Sequence, residues 1–409
     1  MVPAPSHPLR KLPLAVCAAW TVCVTAALAQ PSGMAVLHGQ ASVQQSGTTT
    51  TVTTANGAGT RHSALDWRSF QVPGGRTVHF AQPDALSTSI NRVIGNDPST
   101  IAGTLSSNGR LVLVNPAGIA VSGGAVVDTA GFTASTLSMT RQDAIAGRLR
   151  FGLPRGTGGD DDDDDEGMRN GTPGPLVVEG RVLARAGDVV LIGPRLETGA
   201  DAVLQAQGGD VVLAAGQTVE LTGRGLEGIR FEVRGRQDRV TNLGTLQGDS
   251  VAIFAGTLRH SGLVQATSAS TSGGRVVLHG VEDVDLRGRI EASRAGSGGS
   301  VHVSGETVSM KKDAVIDVRH AHGGGEILLG GGSRGADPRL QNARRVDVDA
   351  DAQLLANATV SGTGGTVVAW SDDRMDFRGT IHTVGAGGGA GGHVEVDAGG
   401  DLRFRGRIV

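Results

Sequence analysis

Residues 187–213, GDVVLIGPRLETGADAVLQAQGGDVVL, begin and end on the same pentapeptide. Gly187-Asp188-Val189-Val190-Leu191 recurs as Gly209-Asp210-Val211-Val212-Leu213, 22 residues later. Each copy opens on a glycine and runs into β-branched residues, which is strand vocabulary. The pattern returns as Gly274-Arg275-Val276-Val277-Leu278, Gly299-Ser300-Val301-His302-Val303, Gly325-Glu326-Ile327-Leu328-Leu329, Gly365-Thr366-Val367-Val368-Ala369 and Gly392-His393-Val394-Glu395-Val396. Spacings of 22 to 27 residues recur, with gaps near 40 and 65 where copies are degenerate or absent. Second strands lie between them, at 182–184, 203–206 and 284–286. Short strands at a coil-sized period are the signature of a solenoid. One coil cannot bury its inner side chains alone, whereas stacked coils bury them as ladders of Val, Leu, Ile and Ala. Helical solenoids are disfavoured because Gly interrupts nearly every stretch long enough for a helix. A β-sandwich would not need near-identical strands at this spacing. The expected fold is all-β, a parallel β-helix.

Composition agrees. The chain has 409 residues, 65 of them Gly, 8 Phe, 3 Trp and no Tyr. Aromatics make up only 3%, so a core of large side chains is not available. Scattered glycine suits many tight turns, and the lack of a strict three-residue glycine period excludes collagen.

The N-terminus reads as a cleaved Sec-type signal peptide over residues 1–29. Arg10 and Lys11 form the basic region, 12–28 is mostly apolar, and Ala27-Leu28-Ala29 is a small-x-small cleavage site. Cys17 and Cys23 both lie inside it, so the mature chain is expected to hold neither disulfide nor thiolate metal site. Removing Arg10 and Lys11 from 37 basic residues leaves 35 against 40 acidic ones, a net charge of −5. Seven of those acids form the run 160–166, and nothing here resembles a basic nucleic-acid footprint.

Taken in order, 33–61 is Thr-rich and alternating, which suggests exposed strands of an edge or cap. Thr77-Val78-His79-Phe80 reads as a short strand. Asn115-Pro116-Ala117-Gly118 reads as a tight turn between apolar runs at 111–114 and 119–121. Asn115 can accept backbone hydrogen bonds, Pro116 pre-sets φ at the second position, and Gly118 suits the fourth. Residues 143–147 could form one helical turn with Asp143 near its start. The acidic run falls in a Gly-Pro-Asp-rich loop at 155–175. It lacks the alternation and turn glycine of a calcium loop and reads as a solvated insertion.

With these motifs in view, residues 66–137 resemble the N-terminal secretion domain of the filamentous haemagglutinin family, the exported partners of two-partner secretion systems. The matching residues are Trp67-Arg68-Ser69-Phe70, RTVHFAQP at 76–83, Ile90-Asn91-Arg92-Val93-Ile94-Gly95, Asn115-Pro116-Ala117-Gly118-Ile119 and Ala134-Ser135-Thr136-Leu137. Leu191-Ile192-Gly193-Pro194, Leu213-Ala214-Ala215-Gly216 and VAWSDD at 368–373 are similar to the repeats that follow that domain. The resemblance implies a right-handed parallel β-helix (solenoid) with an N-terminal cap and extra-helical hairpins. It implies a secretion domain core at 30–175, further β-helix repeats at 176–409, and an end in mid-coil. It also implies export by Sec, then passage through a dedicated outer-membrane β-barrel whose periplasmic POTRA domains recognise the N-terminal domain while it is unfolded or extended. Asn91, Arg92, Asn115, Pro116, Gly118 and Ile119 are the residues that the resemblance marks for that recognition. Two departures stand out: Ala117 replaces an Asn common in the family, and 160–165 looks like an insertion.

The function implied is that of a secreted or cell-surface, adhesin-like exoprotein of a Gram-negative bacterium. It would have no active site and no cofactor, with host-cell glycans or proteins as candidate receptors. Two alternatives come from other classes. The chain could be the stem of a contact-dependent toxin, or a β-helical enzyme acting on polysaccharide. Such an enzyme needs paired carboxylates, for which Asp372-Asp373 and Asp347/Asp349/Asp351 are the candidates. Adjacent residues on a strand point to opposite faces and in a turn are solvated, so the first pair reads as surface. The second set, at period 2, would line one strand face. His320 and His322 could share a strand face as a weak metal pair, but lack a third ligand and read better as a loop. Gly296-Ser297-Gly298-Gly299 precedes a strand, which argues against a phosphate cradle. Asn170 and Asn357 start glycosylation sequons, patterns common by chance.

Overall fold

The computed structural model describes residues 30–153, 172–223, 226–233, 237–271, 273–338 and 340–409. The expected signal peptide, the 160–165 run and the Asn170 sequon lie outside them. Each coil lays one strand on each of three sheets, of 13, 11 and 15 strands. The first sheet runs from Ala35–His38 to His393–Ala398, the second from Ser99–Ile101 to Asp401–Phe404, the third from Gln40–Ser46 to Arg407–Ile408. Pairing along these stacks is parallel nearly throughout, so the chain forms the parallel β-helix expected from its repeats.

Register makes the ladders. In the first sheet an inner column runs Leu65, Asn91, Leu113, Ala134, Leu191, Leu213, Ile253, Leu278, Val303, Leu329, Ala369 and Val396. Every second residue of a strand faces inward, and with parallel in-register pairing the same position of each coil meets its counterpart. Truncating one such leucine to Ala would cost about 2–5 kcal/mol, because its neighbours are held from both sides and cannot collapse into the space.

The Thr-rich segment is more than an exposed edge. Gln40–Ser46 is exposed, but its hairpin partner Thr49–Ala55 turns Thr50, Val52 and Thr54 inward and pairs in parallel with Thr77–Ala81. The hairpin thus converts antiparallel capping into parallel stacking.

The long gaps in the repeat also acquire a cause. A coil that lacks the glycine-first pattern, Ser250–Ala255, stacks Val251 on Val211 and beneath Val276. The interval before it holds an extra-helical hairpin, Thr218–Leu221 and Ile229–Glu232, which joins Leu149–Gly152 in a three-stranded antiparallel sheet. This sheet lies over the outer face of the first sheet and makes a second apolar layer with Val112, Val190, Ile192 and Val212. That is why Val189–Ile192 and Val211–Ala214 are buried on both faces. The interval 331–365 likewise holds an excursion, whose turn Ser333–Gly335 packs on Trp370.

The helix begins earlier than residues 143–147 suggest. It spans Arg141–Ala146, because Thr140 caps it by accepting from the Asp143 N–H, and Gly147 closes it at φ +68.

Candidate functional site

The six residues marked by resemblance fall into two clusters on neighbouring coils. In the first, His62–Trp67 and Thr88–Val93 pair in register, with Leu65 opposite Asn91 and Asp66 opposite Arg92. Alternation sends Asn91 into the core, where it is fully buried within an otherwise apolar column. Its amide is satisfied there. Nδ2 donates to the Ser89 carbonyl at 3.1 Å, and Oδ1 accepts from the Trp67 indole at 2.9 Å. Trp67 in turn packs edge-on to Phe70, with ring centroids 5.7 Å apart.

Arg92 turns outward, yet it too is buried. Its Nε donates to Asp66 at 3.0 Å and its Nη1 to the Met139 carbonyl at 3.1 Å. Met139 immediately precedes the helix cap, so one guanidinium fastens the helix-bearing excursion to the coil stack. Burial of such a pair is tolerable because both partners are hydrogen-bonded.

The second cluster is the Asn115 turn. Gly118 N–H donates to the Asn115 carbonyl at 3.0 Å, and Ala117 N–H to Asn115 Oδ1 at 3.0 Å. Asn115 Nδ2 reaches the preceding coil, donating to the Asp97 carbonyl at 3.0 Å and Ser99 Oγ at 2.9 Å. The following coil closes from the other side, where Gly174 N–H donates to the Pro116 carbonyl at 2.8 Å. Gly118 adopts φ +128, and a Cβ there would meet the Pro175 carbonyl at 3.3 Å. Ile119 is buried between Ser99 and Leu176 in the second sheet. Asn115 is fully buried; within the turn, only Pro116 and Ala117 are partly open to solvent.

The structure therefore does not gather the six residues into one exposed patch. It places each where it joins one coil to the next. Trp67, quoted above within its Trp-Arg-Ser-Phe motif, completes the first cluster together with Met139, and Ser99 completes the second; of these, Ser99 and Met139 escaped the sequence reading. The pairing of Asp66 with Arg92 and of Trp67 with Asn91 did carry a signal, since 66 to 92 and 67 to 91 are each close to one coil.

The enzyme candidates are engaged elsewhere. Asp372 and Asp373 lie in a turn. Asp372 accepts from the Trp370 indole at 2.8 Å and from Asn342 at 3.1 Å, and Asp373 pairs with Arg344 at 2.7 Å. Asp347, Asp349 and Asp351 do not share a strand face. The strand ends at Val348, which leaves Asp349 and Asp351 in the turn beyond it. His320 and His322 sit at a turn, with His322 Nδ1 3.0 Å from Ser361 Oγ. Among the described residues no group of three His, Cys, Asp or Glu is placed to hold a metal ion, and no helix is long and apolar enough to cross a membrane.

Beneath the three-stranded flap lies a cavity of about 110 Å³, walled by Val112, Val190 and Val212 below and Leu149 and Leu221 above. Asp188 and Asp210 stand at its edge. Asp188 Oδ1 accepts from the Asp210 N–H at 3.0 Å, and Asp210 Oδ1 from the Ser250 N–H at 3.0 Å, so each carboxylate ties its coil to the next. Burial, together with the neighbouring Asp188, pushes the Asp210 carboxyl up to about 6.

Comparison with known proteins gives the same direction. A family model described as the TPS secretion domain matches residues 27–329. The secretion domain of HMW1 from Haemophilus influenzae superposes with a TM-score of 0.77 at 26% identity, covering 92% of this chain and 99% of that one. Among curated proteins, a heme/hemopexin-binding protein of Haemophilus influenzae is 37% identical over 111 residues, 27% of this chain. The matched stretch is 12% of that protein's length, and 9% for a second protein of the same name.

Proposed function

The chain belongs to the TPS secretion domain family, and from that premise we propose that it is an exoprotein carried across the outer membrane by a dedicated β-barrel transporter that reads its N-terminal coils before they close. The family match covers residues 27–329, and the fold is that of a secretion domain. One observation supports the timing: Asn91 and Asn115, two of the residues assigned to recognition, are fully buried in the folded coil. A receptor such as a POTRA domain can use them only in an open chain. Once the chain is outside, the same side chains become coil-to-coil fasteners, so release by the transporter and folding draw on one set of groups.

Beyond export, the role is adhesin-like and non-enzymatic. The carboxylates best placed in sequence for glycan hydrolysis, Asp372 and Asp373, already serve Trp370, Asn342 and Arg344. Specificity for a receptor on a host surface would reside on exposed coil faces.

The test compares secretion of three forms in a strain with the transporter gene and one without. The wild type should reach the medium only when the transporter is present. The double variant Asn115→Ala/Gly118→Ala should be retained, whereas Leu286→Ala, a core change far from the N-terminus, should still be exported. Equal export of the double variant and the wild type, or export without the transporter, would overturn the proposal.

A further inference from the structure

The second sheet has an inner column running Ile101, Val121, Val178, Thr198, Asn242, His260, Leu286, Met310, Val348 and Phe377. Three consecutive positions in the middle are polar. Thr198, Asn242 and His260 are 2%, 0% and 1% exposed, respectively. They form a directed chain along the stack. The Thr198 hydroxyl donates to Asn242 Oδ1, and Asn242 Nδ2 lies 3.0 Å from His260 Nδ1. A carboxamide nitrogen can only donate, so Nδ1 must be the acceptor and the single ring proton must sit on Nε2. Nε2 itself is buried, with no side chain placed to take its proton. A proton added at Nδ1 would set two donors face to face, and the new charge would have no counter-ion.

We propose that this column is a proton-sensitive lock on coil stacking, closed while His260 is a neutral acceptor and opened when the imidazole takes up a second proton. The surrounding charges do not compensate. Arg259 on the same strand and Arg239 on the coil beneath are exposed. Asp238 is buried at the opposite end of that lower strand. On the next coil Asp283 and Asp285 lie on the outward-facing side of their strand, and Asp285 faces Arg287 at 3.7 Å. Arg289 sends its guanidinium outward to Glu291 and Asp317. Above His260 the column continues with Leu286. Burial holds the imidazole down to about 4, and only the Arg289 backbone opposes it.

The sign follows from linkage. A histidine whose folded value lies below its unfolded one stabilises the fold fully above about 6.5 and loses that contribution as pH falls towards 4. The middle coils would therefore close in neutral surroundings and be held open in acid. The lock concerns folding alone and does not depend on the export proposal.

Equilibrium unfolding of the purified protein at pH 7 and pH 4.5 tests it, with His260→Met and the apolar column Thr198→Val/Asn242→Leu/His260→Leu alongside. The wild-type folding constant should fall on the order of 50-fold more than that of either variant over this interval. Hydrogen exchange at pH 4.5 should show residues 239–290 opening before the N-terminal coils. Nitrogen NMR of the wild-type imidazole, which needs no variant to fold, should show Nδ1 unprotonated at pH 7 and still at pH 5. Equal losses in wild type and variants, uniform opening along the stack, or a His260 ring that titrates near 6.5 would each overturn the lock.

Discussion

The indole N–H of Trp67 donates to the carboxamide oxygen of Asn91 at 2.9 Å, inside a column of leucines. Each residue makes the other tolerable, since a buried polar group without a partner costs about 1–3 kcal/mol. Asn91→Leu alone should therefore destabilise the protein by roughly that amount, despite extending an apolar column. The double variant Trp67→Phe/Asn91→Leu should recover part of the loss. Urea unfolding of the four forms gives the coupling, and a value indistinguishable from zero would mean that the two side chains act independently.

Gly118 carries the strained position of its turn, at φ +128. Gly118→Ala should cost on the order of 1–3 kcal/mol. Gly123 has no positive φ, and a Cβ added there would meet nothing within 4 Å, so Gly123→Ala should be nearly neutral. Thermal unfolding of the two side by side checks the contrast, and equal shifts would contradict it.

Asp66 and Arg92 form a buried pair that also holds Met139. Breaking such a pair from one side typically costs about 3–5 kcal/mol. Arg92→Met should thus be strongly destabilising and should, in addition, loosen the excursion after Met139. Limited proteolysis is expected to cut near 138–153 in the variant before the coil strands are touched. Cleavage unchanged from the wild type would mean that the helix is held by other contacts.

Asp210 has the opposite pH sign to His260. Its folded value lies above the ordinary carboxylate value of 3.8, at about 6. The ionised form is disfavoured in the fold, so the penalty is present above about 6 and disappears as pH falls below 4. Asp210→Asn keeps an acceptor for the Ser250 N–H and should stabilise the protein at pH 7.5. After allowance for the partial exposure of the site, the gain is on the order of 1 kcal/mol. The advantage should vanish near pH 4, and a constant gain across the range would rule out ionisation as its source.

The repeating glycine-first pentapeptides disclosed the coil stack because parallel register puts like residues at like positions. Ser250–Ala255 escaped, since Asp249-Ser250-Val251 lacks the leading glycine and follows an inserted hairpin. The polar column could not be read at all. Thr198, Asn242 and His260 are 44 and 18 residues apart in sequence, and only the true register, with the hairpin taken out, makes them neighbours. Asn91 and Asn115 were legible as positions of interest. Their burial was not, because a turn motif and a strand motif look alike whether they face solvent or the next coil. Asp347, Asp349 and Asp351 misled for the related reason that period 2 in sequence continues past the end of a strand.

Since the strands run across the stack, the ladder hydrogen bonds point along it. A tensile load applied from one end to the other is therefore carried in series, with each coil interface bearing the full force. Such a molecule does not shear; it peels. Its mechanical strength is set by its weakest interface rather than by the sum of them, and the coils joined through Thr198, Asn242 and His260 are where acid would lower that limit.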